Sequence, residues 1–136
     1  MDEAAKINAL MEALRFFRDH YLSSVYSSMG VTALAAGWLI TSRSARVFLH
    51  AHRWLSVSSI FVIILSYIGY WKMTLGVQTL SQTIYDKLSM FSSAQGVYEH
   101  YALTRPGVYG FILMQGLAAA FIILLIIATM KDPGRE

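Results

Sequence analysis

Apolar and polar positions fall along this chain in long blocks. From Val108 to Met130 it runs 23 residues without a charged side chain (VYGFILMQGLAAAFIILLIIATM). As a helix rising about 1.5 Å per residue, that run crosses a hydrocarbon layer of about 30 Å. Two more blocks predict crossings, Leu22 to Thr41 and Trp54 to Trp71, bounded by rings that favour the membrane–water boundary, among them Tyr21, Trp38, Trp54, Tyr70 and Trp71. The first of these, LSSVYSSMGVTALAAGWLIT, is dense in Ser, Gly, Ala and Thr. It gains little from transfer into hydrocarbon and is expected to be buried among other helices.

The intervening polar blocks carry a helical beat. Ile7, Leu10, Leu14, Phe17 and Tyr21 recur at alternating intervals of three and four, and Val77, Leu80, Ile84, Leu88 and Phe91 do nearly the same. Each set predicts one apolar stripe on a helix. With three crossings both stripes emerge on one side, where they can pack together. No proline separates the second crossing from the second stripe, which allows one long helix softened at Gly69 and Gly76. Arg105-Pro106-Gly107 opens the last crossing, since proline is tolerated in a first helical turn, and Lys131-Asp132-Pro133-Gly134 closes it. The expected order is an N-terminal amphipathic helix (1–21), a first crossing (22–41), a short basic hairpin link (42–53) and a second crossing (54–71). An amphipathic helix and loop (72–106), a third crossing (107–130) and a short tail (131–136) follow. The fold class is all-α: a polytopic membrane protein with three transmembrane helices and two amphipathic extensions on one side.

Composition agrees with this reading. Of 136 residues, 56% are hydrophobic and 14% charged, more apolar surface than one soluble core of this size uses. The first twenty residues carry charges of both signs without an unbroken apolar core, so no cleavable signal peptide is expected there and the first crossing directs insertion. The absence of cysteine removes disulfides, thiolate metal sites and catalytic thiols. A net charge of +3 could suggest nucleic acid, but there is no basic run. On the side of the tail and second loop, Lys6, Arg15, Arg18, Lys72, Lys87 and Arg105 balance Asp2, Glu3, Glu12, Asp19, Asp86 and Glu99. On the other, Arg43, Arg46, Arg53, Lys131 and Arg135 face only Asp132 and Glu136, so the whole excess lies there. The acid-free link SRSARVFLHAHR tilts the orientation toward a hairpin link and C-terminus on the cytoplasmic or matrix side of a bacterial inner or organellar membrane. Arg43, Arg46, Arg53 and, beside Trp71, Lys72 are candidate interfacial groups for lipid headgroups.

Little in the chain points to catalysis. There is no GxSxG, HExxH or Gly-rich phosphate loop, and no acid lies within a crossing. The Arg15-to-His20 stretch RFFRDH has a spacing that some RNA-cleaving helical domains use, but it occurs once and abuts a membrane segment. His50 and His52 lie two apart, about 200° around a helix, and cannot grip one ion from it. A b-type haem requires imidazoles on neighbouring helices at matching depth. His20 and His100 are the pair that meets the depth requirement; neither lies inside hydrocarbon, and no cofactor and no metal are expected.

The crossings do contain small, weakly polar faces. Ser24, Ser28, Thr32 and Ala36 follow at intervals of four beside an Ala33-xxx-Gly37 pair; Ser59 and Ser66 share a face; Gly116-xxx-Ala120 lies next to Gln115. Small residues let backbones approach, and hydroxyls or an amide bond across helices for about 0.6 to 2 kcal/mol each. The Gln115 amide facing lipid would cost several kcal/mol, so it is expected to face protein or water. The expected activity is therefore non-enzymatic helix association, as an accessory or assembly subunit of a membrane complex or as a homo-oligomer. The expected partners are membrane lipids and other membrane subunits or self, without nucleic acid. Two other readings of the same residues are a self-assembling pore lined by the hydroxyl stripe and Gln115 and a haem-binding redox subunit.

Overall fold

A computed structural model describes residues 2–91 and 103–131. Four helices follow one another: α1 (Glu3–Thr41), α2 (Arg43–Ala51), α3 (Arg53–Ser89) and α4 (Arg105–Lys131). Among the described residues there is no strand. Two helices, α3 and α4, are long and apolar enough to cross a membrane. Their most apolar stretches are only 6% and 22% buried, whereas the core helix of a water-soluble globule would be mostly covered. Phe61, Val62 and Leu65 on α3 and Leu113, Leu117 and Leu124 on α4 point outward, a surface compatible with lipid. The Ser/Gly/Ala/Thr-rich stretch 22–41 lies in α1, which is not among the helices that meet this standard.

The expected amphipathic helix and first crossing form one uninterrupted helix from Glu3 to Thr41, and the second crossing and the second apolar stripe as far as Leu88 form another, which α3 carries past Gly69 and Gly76. The link 42–53 is not a plain loop, because most of it is α2. Ser42 adopts an extended backbone (φ −93, ψ 103) and its Oγ accepts from the Ala45 N–H at 3.2 Å, satisfying one donor of the first turn. His52 ends α2 by donating its N–H to Phe48 O at 3.0 Å, and starts α3 by accepting from Leu55 N and Ser56 N.

The chain divides into two compact units, Met1–Val25 with Lys72–Phe111 and Tyr26–Trp71 with Ile112–Glu136. In the first, the two stripes meet as their spacing predicts: Leu14 and Leu88 are fully buried against one another's surroundings, with Ile7, Leu10, Ile84 and Phe91 packed around them. Tyr21 is also buried and sets its ring edge against Phe111, centroids 6.0 Å apart. The second stripe departs from expectation at Leu80, which is 51% exposed. Thr74, Gln78 and Ser81 are the buried positions of that stretch. Ser81 Oγ accepts from Leu103 N at 3.4 Å, whereas Thr74 Oγ1 and Gln78 Nε2 have no partner among the described residues. In the second unit the core is Leu39, Ile122 and Ile126, flanked by Ala35, Ala36, Ile60 and Ile63.

Two outcomes test this packing. Leu88→Ala is expected to lower unfolding free energy by about 2–5 kcal/mol, and exposed Leu80→Ala by less than about 0.5 kcal/mol, in denaturant titrations of the detergent-solubilised protein. Thr74→Val, which removes a buried hydroxyl without a partner among the described residues at nearly constant shape, is expected to be neutral or stabilising in the same titration.

Candidate helix-association site

Of the expected small and polar residues, the structure brings together Ser28 on α1 with Gln115 and Gly116 on α4, and adds Tyr67 from α3, all within the second unit. Gln115 is 7% exposed, and its Nε2 donates to Ser28 Oγ across from α4 to α1. The amide that would be costly in lipid thus faces protein, as the sequence requires. Thr32, one turn on from Ser28, turns its hydroxyl back to Ser28 O at 2.8 Å. Ser24 is half-buried, and Ala36 packs against the Leu39–Ile122–Ile126 core.

Next to Gln115, Gly116 has a reason to lack a side chain. Tyr67 of α3 donates its hydroxyl to Ile112 O at 3.2 Å. A Cβ at position 116 would lie 2.8 Å from the Tyr67 oxygen and 3.1 Å from Cζ. The glycine opens the path by which a half-buried phenol reaches a helix carbonyl. Tyr67 is absent from the small-residue pattern, and its signal was of another kind: a hydroxyl-bearing ring in the middle of an apolar stretch must find an acceptor.

Other expected positions face outward. Ser66 and Ala120 are exposed and Ser59 is half-buried. On α1, Gly37 is exposed together with Gly30 and Ala33, and a Cβ added at Gly30 or Gly37 meets nothing within 4 Å. These residues make an open face on α1, a long helix that is not among those apolar enough to cross a membrane.

The basic link has a second structural role. Arg46 Nη1 donates to Leu39 O at 3.2 Å and to Ile40 O, and Ser42 N donates to Trp38 O at 2.9 Å, so the last turn of α1 is capped. Ser56 Oγ donates to Leu49 O at 2.9 Å, near the end of α2. His50 Nδ1 lies 3.3 Å from Thr129 O and 3.1 Å from Met130 O; the acceptors are carbonyls, so this nitrogen carries the hydrogen. His52 Nδ1 bonds Phe48 O at 3.0 Å. The two histidines therefore serve different carbonyls, and among the described residues no group of three or more His, Cys, Asp or Glu side chains could hold a metal. Arg43, Arg53 and Lys72 are exposed, while Arg46 is half-buried and turned onto carbonyls. His20 is exposed and stacks on Phe16 at 4.1 Å; His100 lies outside the described residues.

Gly116→Ala is expected to break the Tyr67–Ile112 bond and destabilise the protein by about 1–3 kcal/mol, and Tyr67→Phe in the same chain to recover part of that loss, as read by a double-mutant cycle in thermal unfolding. Gln115→Leu combined with Ser28→Ala is expected to cost clearly less than the sum of the two single changes, because they share one bond. No protein-family model, curated protein or solved structure matches the chain.

Proposed function

We propose that this is a non-enzymatic integral membrane protein that acts through helix association, as an accessory or assembly subunit of a membrane complex or as a homo-oligomer. In this reading residues 22–41 are a third crossing, and the α2 end and C-terminus face the cytoplasm or matrix. The observation that carries it is the open face of α1, where Gly30, Ala33 and Gly37 stand exposed with free space around both glycines. In hydrocarbon, helices associate through close backbone approach at such faces and not through a drive to hide apolar side chains. The inner face of α1 is already used against Gln115, leaving the outer one for a helix from another chain.

A water-filled pore has less support. Thr32 spends its hydroxyl on the backbone of its own helix, and the Gln115 amide is bonded to Ser28. The lining groups of that reading are thus turned to the interior of one chain.

The test is assembly state. Native mass spectrometry from mild detergent is expected to show more than one polypeptide per particle, and Gly37→Leu or Gly30→Leu to release single chains with an unchanged thermal midpoint, since neither site has a neighbour to displace. A wild-type chain that stays alone and co-purifies with nothing overturns the proposal.

A further inference from the structure

The outer face of α2 is left over once its ties to the helix ends are made. Ala45 is buried, Arg46 and His50 are turned to carbonyls, and Arg43, Ser44, Val47, Phe48 and Ala51 are exposed. With His52, these exposed residues line an open groove of about 540 Å³. Its polarity runs lengthwise. Arg43 and Ser44 stand at the amino end of α2, Val47, Phe48 and Ala51 make an apolar floor, and the His52 ring lies against Phe48 with centroids 4.4 Å apart. The whole segment 42–53 holds three Arg and two His without an acid.

An occupant complementary to this groove has negative charge at one end and hydrocarbon along the rest. We infer that the α2 groove seats one anionic phospholipid of the surrounding bilayer, its phosphodiester at Arg43 and Ser44 and its glycerol–acyl junction over Val47, Phe48 and Ala51. The amino end of a helix and a guanidinium both favour phosphate. An interfacial helix with a basic edge and an apolar face is suited to a charged leaflet. Arg43 has five N–H donors, so contacts inside the chain leave others for the headgroup. Arg46, although equally cationic, has its guanidinium on Leu39 O and Ile40 O and is assigned no lipid. The inference rests on the membrane setting proposed above and is independent of whether α1 associates with another chain.

The experiment uses the full chain in nanodiscs of mixed phosphatidylcholine and phosphatidylglycerol, released and weighed by native mass spectrometry. Wild type is expected to retain phosphatidylglycerol in preference to phosphatidylcholine. Arg43→Gln and Phe48→Ser are each expected to lower that retention several-fold, and Arg43→Lys, which keeps the charge and loses the fork, to fall between. Arg46→Gln is expected to lower the thermal midpoint and leave retention near wild type. Equal retention of both lipids, or the same loss in Arg43→Gln and Arg46→Gln, overturns the inference, the latter by showing attraction to charge in general and not to a seat. The same spectra report chain number, so failure of helix association is read separately.

Discussion

A helix leaves its last carbonyls without partners, and in a low-dielectric setting each unpaired carbonyl is expensive. The second unit is organised around that constraint. α1, α2 and α4 all present carboxyl ends there, and each receives a side chain from α2 or the first turn of α3: Arg46 on α1, Ser56 of α3 on α2, His50 on α4. Cations at helix carboxyl ends also oppose the negative end of the macrodipole. Part of the positive charge on this side of the molecule is therefore explained by helix ends. Counting Lys and Arg to orient a chain in a membrane treats Arg46 and Arg53 alike, whereas the structure gives them different work.

The contacts between helices follow the same economy of polar groups. The Gln115–Ser28 bond and the Tyr67–Ile112 bond hide hydrogen-bonding atoms, and both depend on small neighbours: a serine on α1, a glycine at position 116. The large apolar side chains of α3 and α4 mostly point away from these contacts. This is the distribution expected when the surroundings are as apolar as leucine itself, since hiding leucine then gains little.

That inversion explains where the sequence was legible and where it was not. The hydrocarbon-length block 108–130 and the 7–21 stripe could be read because length and period are independent of what lies outside, and Gln115 because an amide is costly in any apolar setting. The phase of the 77–91 stripe breaks at Leu80, because apolarity alone does not mark the inner face when the surroundings are apolar. Thr74, Gln78 and Ser81 at spacings of four and three were the competing signal on the other side. The hairpin link hid a helix because it is short and basic, although Ser42 three residues before Ala45, and Ala45 four before Leu49, are a cap followed by an inward face. Tyr67 escapes a pattern of small residues because its part in the contact comes from its hydroxyl and not from its size.

The ties at α2 also differ in how far along the chain they reach. Arg46 finds its carbonyls six and seven residues back, and Ser56 finds its own seven back, so both ties are local in the chain. His50 finds its acceptors 79 and 80 residues further on. Closing a loop costs more entropy the longer it is, so among these ties it is the imidazole's that holds a distant part of the chain in place, while the other two fasten only neighbours.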